Sequence, residues 1–300
     1  MPHAPALYPA KLLLFGEHIL LLGAPAVAAP VPAFGGRWVW PNDVPATLPS
    51  LRDFMQSPAL AAIPGLDTLA FARDITAGIV FDSNIPMGYG LGSSGALCAA
   101  VYDRYAREKT TSLAALKSIF AQMESFFHGN SSGIDPLTSY LRQTILIRNK
   151  TEVTPVGATS WPDPPVMFLL DSRLPRRTGP LVQWFLEQSQ QPVWRARLER
   201  ELLPVHDIMV QSWLQGRADQ FWPALRQVSR FQFEHFHPMV PATLRAYWQE
   251  SLDRSDLAFK ICGAGGGGFL LGFASHPAAC DYLQENGPVI FPFANQSMEG

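Results

Sequence analysis

A short glycine-rich segment at residues 86–97 gives the strongest chemical signal in the sequence. It reads Pro-Met-Gly-Tyr-Gly-Leu-Gly-Ser-Ser-Gly-Ala-Leu, and an uncharged helical run extends from Ala96 to Tyr102. Glycines let the backbone turn tightly and approach a ligand closely, and the N–H groups and dipole of a helix start favour negative charge. The segment therefore predicts a phosphate-binding loop. The loop alone leaves open a second interpretation, a turn that only starts a buried helix.

The neighbouring residues exclude two familiar phosphate-binding loops. A Walker loop needs a lysine directly before its serine or threonine, and no lysine precedes Ser93 and Ser94. The residues from Gly90 to Gly95 do satisfy the dinucleotide pattern Gly-x-Gly-x-x-Gly. That motif requires a strand running directly into it and an acid after a second strand. Here Pro86 interrupts the approach, and residues 112–127 predict a second helix.

Three further segments carry residues suited to catalysis. Lys11 leads through an apolar run to Gly16-Glu17-His18, and Glu124 precedes a polar turn that contains Asp135. The charged Glu17-His18 pair lies between apolar residues, so it needs a ligand or a structural partner; a buried, hydrogen-bonded histidine is the structural alternative. The glycines within residues 260–273 lie between apolar runs rather than polar ones, which predicts a tight turn joining two buried strands.

These four segments, in their order along the chain, resemble the motifs of the GHMP small-molecule kinases. Within that superfamily they are most similar to the mevalonate kinases. The matches span residues 11–273, most of the chain. In chain order they are Lys11 with Gly16-Glu17-His18, Pro86 to Ser94, His128 to Asp135 and Gly263 to Gly268, with a shorter echo of Val-Pro-Arg-Asn-Thr at Leu174 to Thr178.

Two positions depart from the motifs that the sequence resembles. Gly95 stands where alanine is usual, and Ser131 stands in the proline position of His-Gly-x-Pro-Ser-Gly-x-Asp. In addition, few residues between Trp38 and Asp74 can be matched to the family loops on the adenine side of the site. The adenine site is therefore not assigned.

The resemblance implies an α+β fold with two domains. Residues 1–155 are expected to form the GHMP kinase N-terminal domain, similar to the second domain of ribosomal protein S5, and residues 156–300 a ferredoxin-like C-terminal domain. Gly157 to Pro165 reads as the connection between them. The apolar patterns that follow predict a strand at Val166 to Leu170 and helices at Leu181 to Gln188, Trp194 to Gly216, Gln220 to Phe233, Pro241 to Leu252 and near Pro277 to Glu285.

The resemblance also implies ATP and Mg²⁺ as cofactors. The ATP phosphates are expected on Gly88, Gly90, Leu91, Gly92, Ser93 and Ser94. Ser94 and Glu124 match the Mg²⁺ ligands, and a hydroxyl and a carboxylate are the hard oxygen donors that this ion takes. The structural alternative for Glu124 is a solvated acid at a helix end.

Asp135 matches the catalytic acid of the family, and Lys11 is expected beside it. As a base, Asp135 would take the proton of the substrate hydroxyl. A structural salt bridge between Lys11 and Asp135 is the alternative for the pair, and a helix cap is the alternative for Asp135 alone, because Asp-Pro is a common helix entry. His128, next to a glycine at a helix end, is expected to be structural, as a cationic or hydrogen-bonding cap of the helix C-terminus.

The remaining matches concern the substrate and the last glycine loop. Substrate contacts are expected at Glu17, His18 and Thr178. Gly263 to Gly268 are expected to press against the phosphate loop and close the cleft, with Gly263, Gly265 and Gly266 as structural glycines of this loop. Together the matches imply phosphorylation of the primary alcohol of a small acid, with mevalonate the first candidate. A kinase for phosphomevalonate or a sugar, and a non-catalytic binding protein with the same fold, stay open.

Composition limits the partners and the cellular setting. The 300 residues are 47% hydrophobic with a formal charge of −2, which fits a globular chain of two domains and gives no basic excess for nucleic acid. Three cysteines without metal spacing favour a reduced, cytoplasmic setting. The uncharged run Ile19 to Gly36 mimics a signal segment, but its prolines favour a buried strand hairpin turned at Gly23, so no membrane association is expected. A small-molecule substrate is expected, and the sequence leaves a homodimer open.

Overall fold

The computed structural model describes residues 6–41, 49–157, 159–175, 178–281, 283 and 289–290. At 49–50, 178 and 289–290 only the backbone is described. Every helix in this part of the chain is too short or too polar to span a lipid bilayer.

The described residues form runs of strands and runs of helices along the chain. The strands are β1 (Tyr8–Phe15), β2 (Ala26–Val39), β3 (Val80–Ser83), β4 (Ile145–Arg148), β5 (Glu152–Pro155), β6 (Val166–Asp171), β7 (Leu257–Ile261), β8 (Phe269–Ala274) and β9 (Val289–Ile290). The α-helices are α1 (Pro49–Met55), α2 (Pro58–Ala61), α3 (Thr68–Thr76), α4 (Ser93–Tyr105), α5 (Leu113–His128), α6 (Ile134–Leu141), α7 (Thr178–Gln190), α8 (Pro192–Arg197), α9 (Leu203–Gln215), α10 (Ala218–His235) and α11 (Arg245–Ser251). A π-helical segment, Leu198–Leu202, joins α8 to α9.

Two sheets and the helices give the α+β class that the sequence predicts. One sheet has the strand order β1-β2-β4-β5, with β3 also paired to β2, and the other has the order β7-β8-β6-β9. The strand pairs β2–β3, β2–β4, β4–β5, β6–β8, β6–β9 and β7–β8 are antiparallel.

The chain groups into two compact units, each built from separate stretches of sequence. The first contains the described residues up to Lys11, Ala29–Pro86 and Leu91–Gln143, and the second contains Leu12–Ala28, Met87–Gly90 and the described residues from Thr144 onward. Strands β1 and β2 each continue from one unit into the other. The assignment of family domains to residues 1–155 and 156–300 stays a prediction.

In the first unit, α4, α5 and α6 start and stop at residues with clear local causes. Gly92 precedes α4 in a left-handed conformation, and the Ser112 side chain caps α5 by accepting the Ala115 N–H. Gly129 ends α5, and Gly133, also left-handed, starts α6. The two helices predicted after the glycine-rich segment are therefore confirmed.

The buried face of α5 contains an acid. Leu116, Phe120 and Glu124 follow one another at intervals of four residues and are all buried, which places Glu124 on the stripe that faces the core. The carboxyl group is thus positioned by helical periodicity rather than by a loop.

In the second unit, the glycine segment after Lys260 joins β7 to β8, and both strands are buried along their length. This confirms the predicted turn between two buried strands. The predicted strand at Val166 to Leu170 is confirmed by β6, and the four helical patterns between residues 181 and 252 by α7 to α11.

Two local predictions differ from the structure. The first half of the predicted hairpin at Ile19 to Gly36 is wrong, because Ile19–Leu22 forms a 3-10 turn closed by Gly23 in a left-handed conformation, and the strand begins only at Ala26. The last predicted helix begins as a 3-10 turn, Pro277–Cys280, and the described residues after it, Asp281 and Leu283, are α-helical as predicted. Short hydrogen-bonded turns leave no periodic pattern that a sequence can show.

Candidate active site

The start of α4 offers backbone donors without competition from a side chain. Gly92, its N-terminal cap, makes no side-chain hydrogen bond, and Ser93 and Ser94 form the first turn. The first N–H groups of a helix lack intrahelical partners, and the helix dipole adds positive character there. This backbone fits a phosphate group.

Glycines at this helix start make room for Asp135. A Cβ at Gly92, where φ is +70°, would lie 3.2 Å from Asp135 Oδ2, and a Cβ at Gly95 would lie 2.8 Å from the Pro136 nitrogen. The backbone of α6 therefore approaches α4 too closely for a side chain. This explains why Gly95 stands at a position where alanine is usual in the related motif.

Lys11 and Asp135 form an ion pair in the first unit. Lys11 Nζ lies 2.5 Å from Asp135 Oδ1, and the side chains are 11% and 29% exposed. The Lys11 backbone N–H also donates to the Leu91 carbonyl at 2.9 Å, which ties β1 to the start of the phosphate loop in this unit. The structure thus brings together the acid, the lysine and the helix start, although 124 residues separate Lys11 from Asp135.

Glu124 is buried and held by two hydroxyl groups. It is only 4% exposed. Ser94 Oγ donates to its Oε1 at 3.0 Å, and Ser131 Oγ donates to its Oε2. Burial and the nearby charge of Asp135 raise the pKa of Glu124 to about 7. The alternative of a solvated acid at a helix end is therefore wrong.

Ser94 and Glu124 fit Mg²⁺ by donor type and by charge. They place a hydroxyl oxygen beside a carboxylate, and the negative charge that Glu124 and Asp135 accumulate favours a cation. Within the described part of the chain, no group of three or more His, Cys, Asp or Glu residues is placed to hold a metal ion. A site with two protein ligands is compatible with Mg²⁺, which usually keeps several waters.

His128 contacts this group instead of capping its own helix. Its Nε2 lies 2.9 Å from Ser94 Oγ, while the backbone of Gly129 closes α5 through the Ser125 carbonyl. The expected helix-capping role is therefore replaced by a hydrogen bond to the start of α4. Sequence reasoning missed His128 and Ser131 as partners, although the spacing of four residues places His128 on the same helix face as Glu124.

A second lysine–carboxylate pair lies in the second unit. Lys260 Nζ is 2.5 Å from Glu17 Oε1, and both side chains are 1% exposed. Lys260 Nζ also donates to the Ile261 carbonyl at 2.7 Å. Glu17, expected to contact substrate, is thus sealed in an ion pair. Sequence reasoning missed Lys260, whose signal is a lone lysine inside the apolar strand β7.

His18, the other expected substrate residue of this segment, is also buried. Its Nε2 donates to the Ala264 carbonyl at 3.0 Å, and its ring centroid lies 5.2 Å from that of Phe185. Thr178, the third, begins α7, but its side chain lies outside the described residues, as do Arg176 and Arg177.

The last glycine loop packs within the second unit. The Gly268 N–H donates to the Leu174 carbonyl at 2.8 Å, and the Gly266 N–H donates to Met239. A Cβ on Gly268 would lie 3.1 Å from the carbonyl oxygen of Tyr89, which belongs to the Gly-Tyr-Gly part of the phosphate loop. The loop therefore lies against residues 174–175 and Tyr89 through Gly267 and Gly268, while Gly265 and Gly266 lie against Met239 and Leu181.

Residues 61–143 match a family model described as the GHMP kinases N terminal domain. This region contains the start of α4, Glu124 and Asp135. The resemblance to that family found in the sequence is therefore confirmed for this region.

The similar proteins are named mevalonate kinase. Those of Thermococcus onnurineus (strain NA1) and Thermococcus gammatolerans are each 29% identical over 161 residues, which cover 44% of this chain and 47% of the relative. The match thus spans about half the length of these curated relatives.

Solved structures extend the likeness to nearly the whole chain at the level of fold. The L. major mevalonate kinase in complex with R-mevalonate has a TM-score of 0.68 and 17% identity, covering 97% of both chains. The Methanococcus jannaschii mevalonate kinase has a TM-score of 0.65, 14% identity and coverage of 97% and 98%. A Streptococcus pneumoniae phosphomevalonate kinase has a TM-score of 0.63, 15% identity and coverage of 94% and 95%. The predicted GHMP kinase fold is confirmed.

Proposed function

We propose that this protein is an ATP- and Mg²⁺-dependent kinase that phosphorylates the primary alcohol of a small acid, most favourably mevalonate. The observation that carries the proposal is the Lys11–Asp135 pair beside the start of α4, where a Cβ on Gly92 would meet Asp135. A base, a cation and a phosphate-binding backbone then lie within one unit.

Asp135 has an oxygen available to act as the base. Lys11 engages Oδ1, which leaves Oδ2 to accept the proton of the substrate hydroxyl. The alcohol oxygen would then form its bond to the terminal phosphorus of ATP while the bond from that phosphorus to ADP breaks. The Lys11 ammonium would stabilise the negative charge that develops on the attacking oxygen.

The start of α4 and the buried acid would serve the triphosphate. Backbone N–H groups after Gly92 would hold phosphate oxygens, and Ser94 with Glu124 would hold Mg²⁺. When bound, this ion neutralises charge on the phosphate oxygens. Because an ionised carboxylate is required for metal binding, the proton carried by Glu124 near neutral pH would be released as the ion binds.

The substrate assignment is supported by the names of the similar proteins and by the first motif. The curated relatives are called mevalonate kinases. In addition, Gly16-Glu17-His18 has the form that is typical of mevalonate kinases, whereas phosphomevalonate kinases typically carry tyrosine in place of the histidine. Phosphomevalonate is the second candidate, because Arg176-Arg177 in the echoed element adds an arginine and arginine binds phosphate bidentately. We expect Arg177→Asn to change the preference for mevalonate little.

A coupled assay of ADP release against mevalonate, phosphomevalonate, galactose and homoserine tests the proposal. Mevalonate should give the highest kcat/KM, and turnover should require Mg²⁺. A clear preference for phosphomevalonate that is lost in Arg177→Asn would overturn the substrate but leave the kinase activity. Calorimetry with ATP, with and without Mg²⁺, addresses the alternative of a non-catalytic protein, since a chain without kinase function should show no Mg²⁺-dependent binding.

We also propose a cytoplasmic setting for this activity. Cys98, Cys262 and Cys280 are buried and free of disulfide bonds, which suits a reducing compartment. The homodimer stays a prediction.

A further inference from the structure

The turn between α5 and α6 carries a hydroxyl group that the related motif does not supply. Ser131 stands at the proline position of that motif. Proline has no side-chain donor, so the hydroxyl is a chemical addition in this chain. In the structure, Ser131 Oγ donates to Glu124 Oε2 across seven residues of sequence.

Ser131 is itself held in place by the backbone of the turn. The Gly133 N–H donates to Ser131 Oγ at 3.0 Å. A hydroxyl has one proton and two acceptor sites, so Ser131 can accept from Gly133 while it directs its proton at Glu124. Gly133 has φ of +73°, and a Cβ there would lie 2.2 Å from the Lys117 carbonyl, so the turn packs directly on the backbone of α5.

Both oxygens of the Glu124 carboxylate consequently have a donor from a different element. Ser94, at the start of α4, donates to Oε1 at 3.0 Å, and Ser131, in the turn before α6, donates to Oε2. The last torsion of a glutamate side chain is broad and nearly unrestrained by its own rotamer preference. Two donors on opposite oxygens fix it, and each oxygen keeps a lone pair for a further ligand.

We propose that Ser131 is a positioning residue that holds the Glu124 carboxylate in the orientation in which it binds a divalent cation. This inference rests on the proposed function. Ser131 acts through Glu124 and is not itself a metal ligand. Removal of a group that orients a metal ligand typically lowers metal affinity by about 10–100-fold.

Three substitutions at this position separate orientation from packing. Ser131→Ala removes the donor, Ser131→Thr keeps it, and Ser131→Pro installs the residue that is usual in the related motif. We expect Ser131→Ala and Ser131→Pro to weaken binding of the Mg²⁺ complex of a non-hydrolysable ATP analogue, measured by calorimetry, by about 10-fold or more. Ser131→Thr should bind like the unaltered protein. The Mg²⁺ concentration at half-maximal turnover should rise in parallel, while kcat at saturating Mg²⁺ stays close to that of the unaltered protein.

Ser125→Ala is the matched control on the same helix. Its hydroxyl donates to the Gln122 carbonyl at 2.6 Å rather than to the Glu124 carboxylate, so the Mg²⁺ dependence of this variant should match that of the unaltered protein. Folding of each variant is checked by its unfolding temperature without metal.

Two results would overturn the inference while the proposed function stands. One is unchanged Mg²⁺-dependent nucleotide binding in a folded Ser131→Ala. The other is a loss of kcat and of unfolding temperature that saturating Mg²⁺ does not recover and that leaves the half-saturating Mg²⁺ concentration unchanged. If the unaltered protein shows no Mg²⁺-dependent nucleotide binding, the proposed function fails and the inference fails with it.

Discussion

The pairs Lys11–Asp135 and Lys260–Glu17 have equal length, and they differ in their access to water. Lys11 Nζ and Asp135 Oδ1 are 2.5 Å apart with side chains 11% and 29% exposed, whereas Lys260 Nζ and Glu17 Oε1 are 2.5 Å apart with both side chains 1% exposed. The first pair lies at a helix start lined by glycines. The second is enclosed in apolar surroundings, with the Phe15 ring centroid 6.0 Å from Lys260 Nζ.

The difference shows that the pairing of charges does not by itself indicate a reactive site. The Asp135 side chain is 29% exposed, so this pair is accessible to a reactant. Glu17 and Lys260 are removed from water, so each mainly serves to compensate the charge of the other, because an unpaired buried charge is very costly. Both pairs join a lysine to a carboxylate, and burial separates their roles.

Asp135→Asn disrupts the accessible Lys11–Asp135 pair, and we expect it to have the largest effect on function. An amide cannot accept the substrate proton, so turnover should fall by about 10²–10⁴-fold, while ATP affinity measured by calorimetry changes little. Steady-state kinetics on the folded variant checks this. Near-normal turnover would remove Asp135 from the role of base and leave its pair with Lys11 as a structural salt bridge.

Lys260→Met disrupts the buried Lys260–Glu17 pair, and we expect it to have the largest effect on stability. It leaves the buried Glu17 charge without its partner, and the free energy of unfolding should fall by about 3–5 kcal/mol. Denaturant unfolding measures the change. The double variant Lys260→Met with Glu17→Leu should recover much of the loss, because it removes the second charge too. Equal losses in Lys11→Met and Lys260→Met would contradict the comparison.

His206, which lies in the same unit as the Lys260–Glu17 pair, makes the stability of the folded chain depend on pH. Its Nε2 donates to the Pro25 carbonyl at 2.8 Å, and burial, together with the charge of Lys260, lowers its pKa to about 4. Between pH 4 and 6.5 the unfolded chain binds a proton that the folded chain does not, so stability falls as pH falls through this window. From pH 7.5 to pH 5 this histidine should cost about 2 kcal/mol. Unfolding of His206→Gln at both pH values should show a correspondingly smaller loss, and an unchanged pH dependence would exclude His206 as its source.

Gly92→Ala tests how closely the start of α4 constrains Asp135 in the Lys11–Asp135 pair. A left-handed backbone costs a non-glycine residue about 1–2 kcal/mol, and the added Cβ would press on Asp135. Gly65→Ala is the control, since Gly65 is also left-handed, at φ +72°, but has open space around its Cβ position. Both variants should lose similar stability in denaturant unfolding, and only Gly92→Ala should lose turnover. Equal turnover in the two would show that Asp135 tolerates displacement.

Most of the structural features that were predicted correctly depend on local sequence patterns. The helix after the glycine-rich segment, the helix that contains Glu124 and the turn between β7 and β8 depend on residues close in sequence, and they are found as predicted. The pairing of Lys11 with Asp135 came from resemblance to a family. No periodicity links two residues that lie in different elements.

The contacts that were missed are those that only tertiary structure creates. Lys260 reaches Glu17 across 243 residues, and Ser131 reaches Glu124 through a turn whose hydrogen bonds depend on where α5 ends. A partial signal existed in each case. Lysine is rare inside a buried strand, and an acid four residues after Phe120 on an apolar stripe faces the interior.

The path of the chain between its two units limits how the protein can be divided. Passages between the units fall at residues 11/12, 28/29, 86/87, 90/91 and 143/144. A gene cut at 143/144 would give a first fragment that carries Leu12–Ala28 without β4, the strand that pairs with Ala26 to Ala28. A single cut of the chain therefore cannot separate the two units, and each unit can be produced whole only together with the other.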